Sequence, residues 1–231
     1  LSLADWVAAR PSTSLLLDGA QAAACFADLD RYMLPNGLEV AQLNRHETEY
    51  VYREIFQDRC YLRHGIRLPE AGTVIDIGAN IGLFSLFVRN EAPRATVLAY
   101  EPSPAAFRVL KANCEAYGPG LHPFNCGVSE RRGHASLTCY EKSSVFSTFH
   151  ANQEEDRQAI RAVATNVVCD QWRGDAEPVA GLIDELLADR FASRTVSCPV
   201  ISVSDIIREN NVRRVDLLKI DAEKCEVEIL R

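Results

Sequence analysis

The sequence has no apolar run of the roughly 18 residues that a membrane-spanning helix needs. Its first residues, LSLADWVAARPSTSLLLDG, lack the basic start and sustained apolar core of a secretion signal. An excess of basic residues is also missing. The formal net charge is -7, which counts against nucleic acid or an anionic membrane as the main partner, because both select basic surfaces. None of the eight cysteines forms a C-x-x-C pair, so free thiols in a reducing cytoplasm are expected and no metal site is. Internal repeats and low-complexity tracts are absent too. What remains is a chain of 231 residues, 47% apolar and 25% charged, of ordinary single-domain length for a soluble globular protein. It begins with Leu1 and reaches Arg231 inside a helical pattern, so it is expected to be a piece of something longer.

The hydrophobic period divides the chain. Residues 1–33 read as short helices rich in Ala and Leu. A turn at Asn36-Gly37 opens a strand, and residues 46–62 have the spacing of an amphipathic helix. From 73 onward, buried strands alternate with helices: TVIDIGAN, then IGLFSLFVRNE, then ATVLAYEPS, then PAAFRVLKANCEAYG, with Pro104 near the first turn and Gly118 past its end. A third strand is expected over 121–129 and an antiparallel one over 133–141. Residues 142–193 form an excursion whose EEDRQAIRAVATNVV and PVAGLIDELLADRF segments read as helices, a lid or decoration. A strand in TVSCPVI and a helix capped by Ser202 or Ser204 follow, then a core strand over 215–223 and a last helix. Such alternation specifies a parallel sheet with right-handed crossovers. The expected division is a leader or lid region over 1–66 and a core over 67–231.

In such sheets ligands sit beyond the carboxyl ends of the strands. Those ends carry Asp76-Ile-Gly78-Ala-Asn80-Ile-Gly82, Glu101-Pro-Ser103, Asn125-Cys126-Gly127 and Asp221-Ala-Glu223. A dinucleotide loop requires Gly-x-Gly-x-x-Gly, yet Asn80 and Leu83 stand where the second and third glycines belong. Asp76 just before the loop disfavours a pyrophosphate and suits a cationic or zwitterionic ligand. Glu101, one strand further on, can accept from both hydroxyls of a ribose. Together these features point to a nucleoside with an amino-acid tail and no phosphate, which is S-adenosylmethionine, with S-adenosylhomocysteine as product.

The stretches VIDIGANIGLFSLF, YEPSPAAFRVLKAN, NCGVS and VDLLKIDAEKCEVEIL resemble the core motifs of FkbM-type S-adenosylmethionine-dependent methyltransferases. The preceding NRHETEYVYREIFQDRCYLRHGI is similar to the leader of members embedded in polyketide and nonribosomal peptide synthetases. Lys224 stands where a family glycine commonly follows the Asp-x-Glu, a departure more like those embedded members. The resemblance covers roughly residues 34–130 and 195–231. It implies an α/β, Rossmann-like class I methyltransferase sheet with helices on both faces, and further C-terminal strands outside this chain. By the same resemblance Asp76, Gly78, Asn80 and Gly82 line the methionine end of the cofactor, Glu101 and Ser103 the ribose, Asn125 and Cys126 the adenine. Asp221 falls near the sulfonium and the substrate.

Methylation of a hydroxyl benefits from a general base. The candidates are Asp221, Glu223, His64 and Glu49, with His46, Glu47 and His150 also in view. Leader helices of the family resemble covers over the cofactor, which brings Glu47, Glu49 and Tyr50 within reach of the site. A base is also expected in the C-terminal segment that family members carry as a Glu-x-His pair. The leading expectation is an O-methyltransferase acting on a carrier-protein-tethered acyl or peptidyl chain, with an acyl or peptidyl carrier protein and neighbouring synthase domains as partners. A freestanding enzyme on a sugar or small metabolite, an NAD-dependent oxidoreductase, and a catalytically silent interaction domain are the alternatives.

Overall fold

The computed structural model describes residues 24–140, 144–152, 155, 158 and 193–231. The helices expected within 1–23, most of the 142–193 excursion and Cys169 lie outside them. At the centre is a four-stranded parallel sheet in the order β5-β4-β3-β9, formed by β3 (Ala71–Ile77), β4 (Arg94–Tyr100), β5 (Leu121–Phe124) and β9 (Leu217–Ile220). The order places the reversal of strand sequence between β3 and β9, beside the loop that follows Ile77.

Alternation along the strands sends side chains to two apolar layers. Val74, Val97 and Ala99 pack with α2 (Leu83–Glu91) and α3 (Pro104–Ala116). Ile75, Ile77, Leu98 and Tyr100 pack instead with Ile206 of α4 (Val203–Glu209) and Ile229 of α5 (Glu226–Ile229). Helices therefore cover both faces. Ser202 is the cap of α4: its hydroxyl accepts from the Asp205 amide while the Asp205 carboxylate accepts from the Ser202 amide.

A second sheet, in the order β6-β8-β7, joins β6 (Gly127–Val128), β7 (Gly133–Tyr140) and β8 (Ser193–Ile201). Here the structure corrects the single strand expected over 121–129. The chain breaks at Asn125, whose amide donates to the carbonyls of Glu101 and Pro102, and Gly127-Val128 pair with β8 rather than continuing beside β4.

The leader also differs from its expectation. Asp30–Met33 forms a strand, β1, not a helix, and pairs with β2 (Glu39–Gln42) across the Asn36-Gly37 turn. The helix expected over 46–62 is α1 (Arg45–Tyr52), capped by Asn44, followed by a wide π-helical turn over Arg53–Gln57. It stops because Arg59 takes a left-handed φ of 48°, held by its ion pair to Glu91 and its guanidinium over the Phe87 ring. That bend turns the short 3-10 segment Cys60–Leu62 inward over the sheet. Tyr52, Phe56 and Phe87 form a chain of ring contacts at 4.9 and 5.2 Å, so the leader shares the core of α2. Among the described residues no helix is long and apolar enough to cross a membrane, and no disulfide joins Cys25, Cys60, Cys114, Cys126, Cys139, Cys198 and Cys225.

Candidate functional site

The loop after β3 turns sharply because its backbone runs close to its neighbours. Gly78 has a φ of +71°, and a Cβ there would stand 1.9 Å from the Asp221 carbonyl oxygen. Only glycine allows β3 and β9 to end so near each other. A Cβ on Gly82 would meet Leu110 Cδ1 at 2.7 Å, so this glycine brings α2 against α3. Asn80 takes φ +50° and steadies itself, its side-chain oxygen accepting from the Ile81 amide at 2.7 Å.

Beneath the loop is an ionic group that no apolar core would hold unpaired. Asp76 is fully buried; Ser85 Oγ donates to its Oδ2 at 2.8 Å and Lys219 Nζ lies 3.1 Å from its Oδ1. Lys219, itself 7% exposed, donates to the Gly78 carbonyl at 2.7 Å and lies 3.6 Å from Asp221 Oδ2. Burial pulls the lysine toward neutrality, but Asp76 and Asp221 outweigh it and hold its pKa above the ordinary value. From the leader, Tyr61 donates its hydroxyl to Asp221 Oδ2 at 2.6 Å, with its ring against Phe84 and under the Lys219 ammonium. Burial, then the Asp221 charge, pushes the Tyr61 pKa up, so this hydroxyl keeps its proton.

Past β4 the chemistry differs. Glu101 is 6% exposed and its carboxylate accepts two backbone amides, Asn80 to Oε2 and Ser103 to Oε1, both at 2.8 Å. Burial pushes its pKa up to about 7, against the pull of those amides. Ser103 is buried at the start of α3. Asn125 braces the Glu101 and Pro102 carbonyls, and Cys126, half-buried with its thiol pKa raised by burial, points its Sγ at the Gly127 and Pro199 carbonyls.

Two further segments reach the loop. Glu47 of α1 accepts from Ser144 Oγ at 2.7 Å, and Ser144 in turn accepts from Asn80 Nδ2 at 3.2 Å. A narrow crevice between α1 and the loop is lined by Asn44, Glu47, Val51, Asn80 and Ile81. A wider groove bordered by Thr73, Thr96, Asn210 and Arg214 lies at the opposite, amino-terminal ends of the strands, where Arg214 is already paired with Asp216.

Of the residues expected from sequence, Asp76, Gly78, Asn80, Gly82, Glu101, Ser103 and Asp221 meet around one loop, with Asn125 and Cys126 at its β5 side. The other basic candidates are placed differently. Glu49 accepts from Tyr32 and Arg45, whose hydrogen bonds, the Tyr32 one foremost, hold its pKa down. His64 is exposed in a left-handed turn, and His46 is exposed on α1. His150 pairs with Glu228 at 3.0 Å. Glu223 is exposed, and its carbonyl accepts from Thr148 Oγ1. Sequence reasoning missed Lys219, although a lysine inside the apolar LLKI strand is a signal in itself. Tyr61 and Ser144 had no such signal, since only the bend at Arg59 and the returning chain bring them in.

Residues 76–231 match the family described as Methyltransferase FkbM domain. Over 199 residues the chain is 41% identical to the AMB antimetabolite synthetase AmbE of Pseudomonas aeruginosa, spanning 85% of this chain but 9% of that protein's length. Over 198 residues it is 37% identical to the 31-O-demethyl-FK506 methyltransferase FkbM of Streptomyces tacrolimicus, spanning 85% of this chain and 73% of that one. Methyltransferase 1 of Beauveria bassiana is 32% identical over 80% of this chain and 67% of its own. Among solved structures, a chain of a fibrillarin/Nop5p complex aligns with a TM-score of 0.30 at 13% identity, over 56% of this chain and 82% of that chain, a likeness too slight to carry an argument.

Proposed function

The chain belongs to the FkbM methyltransferase domain family, and from that membership we propose that it is an S-adenosylmethionine-dependent O-methyltransferase acting on a hydroxyl of a carrier-protein-tethered acyl or peptidyl chain. The observation that carries the cofactor reading is Glu101. Each of its carboxylate oxygens holds one backbone amide and keeps a lone pair, so two adjacent ribose hydroxyls are the donors that would complete it. The charges agree with this ligand. Asp76 and Asp221 flank the Lys219 ammonium, which also feels the Glu101 charge, and a positively charged ligand brings the group closer to balance.

When bound, S-adenosylmethionine supplies an electrophilic methyl group on a cationic sulfur. The loop of Asp76, Gly78, Asn80 and Gly82 holds its amino-acid end, Glu101 and Ser103 its ribose, and Asn125 and Cys126 border its base. Asp221, half-exposed and just past β9, faces the acceptor and takes its proton. Glu223 lies beside it in sequence. Glu49 is engaged instead by Tyr32 and Arg45, and His64 is exposed in its turn.

The synthetase relative, of whose length the chain spans 9%, supports a domain set within a larger synthetase, and with it a carrier-protein acceptor and neighbouring synthase domains as partners. The FK506 methyltransferase, of which the chain spans 73%, supports the alternative of a freestanding enzyme on a finished small molecule. A 3-hydroxyacyl carrier protein and the corresponding free hydroxyacid, offered side by side, separate the two: preference for the tethered form is expected, and equal turnover would favour the freestanding reading. For the cofactor, S-adenosylhomocysteine at a hundredfold excess over its Kd should stabilise the chain by about 2.7 kcal/mol in thermal melts while NAD does nothing. Stabilisation by NAD alone would replace the proposal with a dehydrogenase.

A further inference from the structure

Resting on the reading of Asp221 as the acceptor-facing carboxylate, we propose that Tyr61 of the leader is a positioning residue that fixes which oxygen of Asp221 works. A hydrogen-bond donor and a cation converge on the same atom. The Tyr61 hydroxyl meets Oδ2 at 2.6 Å and the Lys219 ammonium lies 3.6 Å from that same Oδ2. They reach it from different parts of the chain, 160 residues apart in the case of Tyr61. The Asp221 side chain nevertheless keeps 51% of its surface open. Oδ2 is therefore the anchored oxygen, and Oδ1 is the one turned to an incoming hydroxyl.

Tyr61 suits this task for physical reasons. Its ring is held edge-on to Phe84 at 5.2 Å, which limits the positions its hydroxyl can take. It stays protonated, so it donates to the carboxylate and does not compete with it for the acceptor's proton. A carboxylate anchored through one oxygen by a neutral donor and a cation keeps its charge and orientation without being neutralised by a direct contact on the working oxygen. The acceptor oxygen bonds to the methyl carbon as the carbon–sulfur bond breaks, its electron pair remaining on sulfur, and the acceptor's proton passes to Asp221 Oδ1. One cation and one carboxylate become two neutral groups.

The leader thereby acquires a role besides covering the site. Tyr61 enters only because Arg59 bends the chain, and that bend is held by Glu91 and Phe87 on α2. The substitution Tyr61→Phe keeps the ring and deletes the donor, so it tests the hydroxyl alone. With a 3-hydroxyacyl carrier protein as acceptor, kcat should fall about tenfold while the Kd for S-adenosylhomocysteine and the melting temperature stay where they were. In an Asp221→Asn background the same substitution should cost less than twofold, because a residue acting through Asp221 has nothing left to position. Additive losses in that cycle would overturn the proposal. So would a tenfold or greater loss of S-adenosylhomocysteine affinity in Tyr61→Phe, which would assign the hydroxyl to the cofactor whether or not an acceptor is in hand. If the unaltered protein binds S-adenosylhomocysteine but turns over no hydroxyacyl carrier protein, the substrate reading fails by itself, while a tenfold loss of affinity in Tyr61→Phe still overturns the role given to Tyr61.

Discussion

The crevice at the strand ends has two halves that solve the burial of a carboxylate in opposite ways. Between β3 and β9, Asp76 is buried with a full counter-charge, the Lys219 ammonium, and a hydroxyl from Ser85. Past β4, Glu101 is buried and its carboxylate accepts from the backbone amides of Asn80 and Ser103, with no ion pair to it among the described residues. In the first arrangement the two carboxylates hold the lysine charged. The second is balanced near neutrality, with a carboxyl pushed up to about 7 by burial. A lysine bridge suits a part of the site that must be ionic before any ligand arrives. A carboxyl held by amides alone suits one whose partners are hydroxyls that arrive with the ligand.

The largest expected effect breaks the paired half. Lys219→Met leaves Asp76 buried without its cation, and a loss of about 3–5 kcal/mol in stability is expected by denaturant titration. Adding Asp76→Asn should recover a large part of that loss. Recovery of nothing would mean that the lysine matters for its bonds to the Gly78 carbonyl rather than for charge.

The next effect titrates the unpaired half. The folded-state pKa of Glu101, about 7, lies above its ordinary 4.5, so between those values the folded chain binds more protons than the unfolded one. Stability from this group is fully present below pH 4.5, is lost as pH rises through 7, and amounts to about 3 kcal/mol across the window. Melts of the ligand-free protein should show that decline, and Glu101→Gln should flatten it. The same substitution should weaken S-adenosylhomocysteine by roughly ten- to a hundredfold at pH 8, the range for hydrogen bonds to a charged group. Unchanged affinity by calorimetry would remove Glu101 from the ribose.

The smallest effect lies outside both halves. Glu49 is half-exposed and engaged with Tyr32 and Arg45, and Glu49→Gln should leave the melting curve and the S-adenosylhomocysteine affinity unaltered. A clear loss of affinity would bring the leader helix into the site.

How much of this was legible in the sequence follows from what is local. The parallel strands, α2, α3 and the polar groups at the strand ends were readable, because period, caps and glycines act within a few residues. Asp76, Glu101 and Asp221 stand at the carboxyl ends of β3, β4 and β9, which neighbour one another in the sheet. What was hidden depends on long-range return of the chain. Nothing in RCYL says that Tyr61 will reach Asp221. Nothing in NCGV says that the strand will break at Asn125 so that Val128 can join Ile201. β1 was misread because its residues carry little apolar alternation, and its strand state comes from pairing with β2.

Asn113 connects these regions through time. Its carboxamide accepts from the Ala41 amide, donates back to the Ala41 carbonyl and donates again to the Ile81 carbonyl, all within the core. Ala41 is synthesised 72 residues before Asn113. At a synthesis rate of about 5–20 residues per second, the leader hairpin waits several seconds for this carboxamide. The strand-end loop is made in that same interval and acquires the carboxamide on its Ile81 carbonyl at the same moment. One amide in α3 thus ties the hairpin to the strand-end loop, and neither can complete its hydrogen bonds before Asn113 has been made.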